Sequence, residues 1–114
     1  MSDTRIPPIG TLTDRIQLFG KSSASEDEGG EIAIYTPLAT VWARVRQLSA
    51  RQAFAEDARG QSVSHSVVLR FRPDLKPGDR VVYRGRNLAI EGVADLNGRR
   101  AYLSLQCSER AVTG

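Results

Sequence analysis

The stretch FRPDLKPGDRVVYRGRNLAIEGVADLNGRRAYLSLQC, residues 71–107, decides the fold. Within it RVVYRG, RNLAIEGV and RRAYLSLQC each alternate apolar and polar residues, the two-residue period of a half-buried strand. Arg84-Gly85-Arg86 and DLNGR separate the three runs, and Gly and Asn are the residues that tight hairpin turns favour. The two prolines of PDLKPGD interrupt the chain before the first run. A three-strand antiparallel meander is expected, and it carries five arginines at its polar positions and turns.

Upstream the same period recurs three times. LTDRIQLFG, residues 12–20, sets Leu12, Asp14, Ile16 and Leu18 on one side, with Asp14 the one polar intruder. PLATVWARVRQL, residues 37–48, alternates Val41, Ala43 and Val45 against Trp42, Arg44 and Arg46. SHSVVLRFR, residues 64–72, puts Val67, Leu69 and Phe71 in phase with His65. Residues 21–31, KSSASEDEGGE, hold no apolar side chain larger than alanine and read as an acidic flexible loop or a long hairpin tip. Residues 49–64 open on a capping Ser49 and are rich in Ala, Arg, Gln and Glu, which suits a short helix or a mobile excursion. The expected fold is mainly β: a small antiparallel barrel or sandwich of about six strands, with a long loop or short helix between the second and third main strands.

With 114 residues and 12.5 kDa the chain has the size of a single domain spanning residues 1–114. No apolar run approaches the roughly 18 residues of a membrane span, and MSDTRIPPIG lacks the basic-then-apolar layout of a signal peptide, so the expected origin is cytoplasmic. One cysteine, Cys107, and one histidine, His65, leave no internal disulfide and no zinc cluster; Cys107 reads as a small core residue. No cofactor is expected.

The formal charge is +3, and fourteen of the sixteen cationic residues are arginine. Residues 22–31 contain four acids, Glu26, Asp27, Glu28 and Glu31, and no base, whereas residues 70–110 hold nine bases against five acids. This segregation suits an oriented role, because the planar guanidinium fork pairs with carboxylate or phosphate. A catalytic reading finds little: His65 lies among serines without a nucleophile elbow, and Glu56 and Asp57 are adjacent and diverge on a helix. PGDRVVYRGR resembles the opening of many small β-barrels, RNA-binding ones included. A stacking surface needs several outward aromatic rings, and only Tyr102 shares a face with Arg100, Ser104 and Gln106. A standalone basic β-barrel that binds nucleic acid is therefore the alternative reading.

Over nearly its whole length the chain resembles the phage head-tail joining proteins of the head-closure or stopper class. The resemblance is carried by IGTLTDRIQL at residues 9–18, VWARVRQLSARQAF at 41–54 and HSVVLRFRPDLKPGDRVVYRGRNLAIEGVADLNGRRAYLSLQCSE at 65–109. It implies a non-enzymatic subunit of a homo-oligomeric ring, seated below the portal and adaptor proteins and above the tail terminator, that closes the DNA-filled head. The host particle would be a phage, a prophage particle or a gene transfer agent. The subunit would assemble in the cytoplasm, finish in the neck of the released particle, and make no membrane contact. By position the connection at residues 49–64 would face the channel, with Arg51, Gln52, Glu56, Asp57, Arg59 and Gln61 as the gating candidates. Its two bases and two acids balance, so contact with packaged double-stranded DNA would be weak and non-specific. Glu26, Asp27, Glu28 and Glu31, together with Arg84, Arg86, Arg99 and Arg100, are the candidate ring and subunit contacts.

Overall fold

The computed structural model describes residues 11–25, 29–49 and 63–109. Six strands follow in order: β1 (Asp14–Ser25), β2 (Glu31–Gln47), β3 (His65–Arg70), β4 (Arg80–Tyr83), β5 (Arg86–Asp95) and β6 (Tyr102–Glu109). Every neighbouring pair is antiparallel, and the order β1-β2-β3-β6-β5-β4 closes into a barrel where β4 meets β1. The mainly β expectation holds, and of barrel and sandwich the structure is the barrel. Closure gives each strand two neighbouring strands, which shortens the exposed sheet edges.

The period-2 patterns point inward as expected. Ile16, Leu18, Ala43, Val67, Leu69, Val81, Leu88, Ile90, Leu103 and Leu105 fill the core, and Leu75 of the proline-bounded turn closes it from one side. Cys107 joins them, and burial pushes its thiol up to about 12, with the Glu91 charge adding to the effect. Asp14, the polar intruder, is used: its Oδ2 accepts the Val45 N–H at 2.8 Å and so ties the first turn of β1 to β2. A second, smaller cluster joins Leu12 and Leu96 to Tyr102, with Val68 against it, on the outer side of β3 and β6. Tyr102 thus takes the outer face that was expected for it, but at 8% exposed it is no platform ring. Alternation did turn it away from the core, but Leu12 and Leu96 cover it.

The Tyr83–Arg86 hairpin turns on two residues with positive φ, Arg84 at 52° and Gly85 at 77°, the mirror-image turn whose twist matches the strands it joins. The β5–β6 connection uses a short 3-10 turn (Leu96–Gly98), and the Asp95 carboxylate accepts the Arg100 N–H at 3.0 and 3.1 Å.

Residues 21–31 were expected as an acidic flexible loop or a long hairpin tip; 26–28 lie outside the described residues, and at 21–25 and 31 the strands correct the first alternative. β1 stays paired with β2 from Asp14 to Ser25, whereas it pairs with β4 only at Gln17, Leu18 and Phe19. Beyond Phe19 the two strands therefore leave the barrel as a two-stranded ribbon. Serine and alanine lack burial there, but the ladder alone keeps them extended. A bulge at Leu38, where Leu18 opposes Ala39 and Phe19 opposes Pro37, resets the alternation of β2. Pro37 fits because β2 has a partner on one side only along this reach. Gly20 makes room for Leu38, whose Cδ2 lies 3.4 Å from where a side chain at Gly20 would begin.

Asp79 anchors the ribbon's root. Its side chain is fully buried; Oδ1 accepts the Lys21 N–H at 2.9 Å and Lys76 Nζ at 2.9 Å, and Oδ2 accepts the Lys76 N–H at 3.0 Å. Lys76 Nζ also donates to the Lys21 carbonyl at 3.1 Å, and the Arg80 guanidinium lies 3.7 Å from the ring centroid of Tyr35 on β2. Removing the carboxylate leaves the part-buried Lys21 and Lys76 N–H donors without their acceptor, each worth about 1–3 kcal/mol. Removing the exposed Lys76 ammonium loses a solvent-screened ion pair worth less than about 1 kcal/mol. Asp79→Ala is expected to lower the unfolding free energy in urea by about 3 kcal/mol and Lys76→Met by under about 1 kcal/mol; equal losses would contradict the anchoring role.

Candidate assembly surfaces

Strand directions give the barrel two unlike ends. The ribbon, the turn of residues 73–79 and the β5–β6 connection leave from one end. The Arg84-Gly85-Arg86 turn, the end of β2 and the start of β3 lie at the other. The four arginine candidates are therefore divided: Arg84 and Arg86 sit at one end, Arg99 and Arg100 at the other, across the ten residues of β5. All four are exposed. Arg86 pairs with Glu109 at 3.3 Å, Arg84 lies over the Tyr83 ring at 5.2 Å, and Arg100 approaches the Phe71 ring at 6.0 Å.

Glu31 is exposed on the ribbon, opposite Ser25. Glu26, Asp27 and Glu28 lie outside the described residues, as do Arg51, Gln52, Glu56, Asp57, Arg59 and Gln61. The roots of the 49–64 connection are nonetheless fixed. The Leu48 N–H donates to the Ser64 carbonyl at 2.8 Å and the Ser64 N–H to the Cys107 carbonyl at 2.8 Å, which extends the β2–β3–β6 ladder by one step. The connection consequently departs from the Arg84 and Arg86 end, away from the ribbon.

Two apolar features escaped the sequence reading. Where β3 parts from β2 beyond Ala43 and Leu69, a cleft of about 720 Å³ opens between Leu12, Val41, Trp42, Leu69 and Phe71, with Arg70 and Arg72 at its rim. Trp42 is 52% exposed, and the Arg15 guanidinium lies over it at 4.9 Å. Arg72 makes a two-pronged pair with Asp74, both contacts at 2.7 Å; those bonds hold the Asp74 carboxyl below its ordinary value. The second feature is the apolar face of the ribbon. Past the bulge, Ile32 and Ile34 continue the face that is core lower down, yet they stand 48% and 43% exposed. They are exposed because the ribbon has left the barrel, and the bulge that keeps them on this face follows from register, which local pattern does not reveal.

Among the described residues no group of three or more His, Cys, Asp and Glu side chains gathers to hold a metal ion. Ser64 Oγ and His65 Nδ1 are 2.8 Å apart, the contact of a nucleophile with its base. The hydroxyl oxygen, however, also accepts the Glu109 N–H at 2.8 Å, so it pins the start of β3 to the end of β6. His65 is 3% exposed, facing the core side as its phase with Val67 predicts.

A family model described as phage head completion protein matches residues 7–110. The solution structure of protein SF1141 from Shigella flexneri 2a is 26% identical, with a TM-score of 0.71 over 92% of this chain and 98% of that one. A chain in the virion of a native gene transfer agent particle shares the fold, with a TM-score of 0.58 at 19% identity, over 87% of this chain and 94% of that one. No curated protein matches the chain.

Burial lowers the His65 pKa from 6.5, against a raising effect of Glu109 and with a smaller lowering effect of Arg86. Below pH 6.5 the unfolded chain therefore takes up a proton that the folded chain refuses, and stability falls as pH falls through that window. Asp74, with its ordinary value of 3.8, acts only at lower pH. Thermal melts between pH 7 and pH 5 should show a falling melting temperature, and His65→Gln should flatten that slope; an unchanged slope in the variant would assign it to other groups.

Proposed function

The chain belongs to the phage head completion protein family, and from that premise we propose that it is a non-enzymatic structural ring subunit of a phage-like neck. The ring lies below the portal and adaptor proteins, closes the DNA-filled head and offers its other face to the tail terminator. The observation that carries this reading is the family match over residues 7–110, nearly the whole barrel chain. The shared fold with a chain from a gene transfer agent virion agrees with it and suits a host particle of that kind, although a phage or prophage particle fits the same chemistry. The subunit assembles in the cytoplasm and ends in the neck of the released particle. Among the described residues no helix is long and apolar enough to cross a membrane.

The two ends of the barrel suit two different neighbours. Arg84 and Arg86, beside the roots of the 49–64 connection, form one contact face; Arg99 and Arg100, beside the ribbon, form part of the other. Paired charges of this kind fix orientation and partner choice more than affinity. The 49–64 connection reaches the channel and blocks it sterically. Arg51 and Arg59 offset Glu56 and Asp57, so the contact with duplex DNA stays weak and the genome can leave. The alternative, a standalone nucleic-acid-binding barrel, keeps its cationic surface but loses its platform ring, because Tyr102 is buried.

Deletion of the gene from a producer strain tests the proposal by electron microscopy of the released particles. Separate tails beside tailless heads, many emptied of DNA, are expected. Tailed, DNA-filled particles in normal number would overturn the neck assignment.

A further inference from the structure

The ribbon and the cleft are complementary halves that one chain cannot join. The ribbon presents Ile32 and Ile34 on a narrow projecting face, with Leu38, 37% exposed, at its foot. The cleft presents the half-buried Val41 and Phe71 and the exposed Trp42, with the buried Leu69 at its floor. Ile34 and Thr40, which lines the cleft, lie six residues apart on the same extended strand, a span of roughly 20 Å. The ribbon thus leads away from its own cleft, and folding it back would break the β1–β2 ladder. Among the described residues nothing covers either feature.

Charge indicates what does. Residues 21–36 contain one base, Lys21, against Glu26, Asp27, Glu28 and Glu31. The cleft is rimmed by Arg70 and Arg72, with Arg15 stacked on Trp42 and Asp74 offsetting one of the three cations. By sequence the 21–36 segment is net acidic, so segment against segment sets like charge against like, as cleft against cleft does for arginine. Only ribbon against cleft pairs opposite signs around an apolar centre, the arrangement that gives an interface its register.

We infer that each subunit seats the Ile32 and Ile34 face of its ribbon in the Trp42 cleft of the next copy of this chain. This rests on the ring reading above and names the surfaces that make the ring. The contact is head-to-tail, so it propagates from copy to copy and closes when the rotation per subunit divides a full turn. Trp42 is the anchor, a large ring of the type that dominates interface energetics. Asp79 and Arg80 serve it from a distance by fixing the angle at which the ribbon leaves the barrel.

A cysteine pair tests this on the full-length chain at high concentration. Ile34→Cys and Thr40→Cys both replace exposed residues, cannot reach each other within one chain, and leave the buried Cys107 silent. After mild oxidation the double variant should give a ladder of covalent dimers, trimers and larger species on a non-reducing gel, while either single variant stays monomeric. Monomer alone, a ladder that stops at dimer, or strong dimer from Ile34→Cys alone would overturn the inference. In sedimentation, Ile32→Ser combined with Ile34→Ser should keep the wild-type melting temperature and weaken self-association by about tenfold or more; unchanged association would likewise overturn it. The neck reading fails separately: ladders from a protein whose deletion leaves tailed, filled particles would keep the mating surfaces and discard the neck, and tailless particles without ladders would do the reverse.

Discussion

Asp79 is a carboxylate with no exposed surface, met by the Lys21 and Lys76 N–H groups and the Lys76 ammonium, and it stands where barrel gives way to ribbon. An ionised carboxylate is an acceptor without a donor of its own, so it can take all three donors at once, which an amide of the same shape cannot. One of those donors belongs to β1 at the residue where pairing with β4 has just ended. Without it the strand edge would lose its partner at a half-enclosed position, and the ribbon would pivot. Tyr35 under the Arg80 guanidinium holds the other strand of the ribbon to the same corner. The ribbon is therefore a fixed projection of the barrel, set at an angle by the turn that carries Asp79.

That rigidity matters for a family whose members complete a phage head. A fixed root gives the ribbon a defined direction, since any looseness there is multiplied along the projection. The barrel supplies direction in a second way, because antiparallel order sends the ribbon from one end and the 49–64 connection from the other. The exposed arginines are divided between the same two ends, Arg84 and Arg86 at one and Arg99 and Arg100 at the other. The Ser64–His65 contact and the Leu48–Ser64 step fix the roots of the connection at its own end.

Much of this was legible in the residues. Six strands follow from period-2 alternation, and every core position expected from it in β3 and β6 is inward, because burial of valine and leucine leaves no choice of face. The turns at Arg84-Gly85 and Asn97-Gly98 were equally legible through Gly85, Asn97 and Gly98, since positive φ favours glycine and asparagine, whereas Arg84 takes positive φ without that signal. Residues 21–25 were harder: serines carry no strand signal, and their extended form comes from the partner strand rather than from themselves. The bulge at Leu38 was invisible because it is a property of the pairing of two strands, and with it went the exposed Ile32 and Ile34 face. Tyr102 misled in another way, since alternation reports which side of a sheet a residue takes and not what covers it. The arginine candidates were found by charge, but their separation to opposite ends needed the topology.

The most direct measurement is a cryo-electron microscopy reconstruction of the neck in particles assembled with this chain. The account predicts a ring of six-stranded barrels between the portal assembly and the tail, with each ribbon laid on the adjacent barrel at Trp42 and the 49–64 connection turned toward the lumen. A neck without these barrels would contradict the assignment, and barrels whose ribbons touch no neighbouring copy would contradict the way the ring is held together.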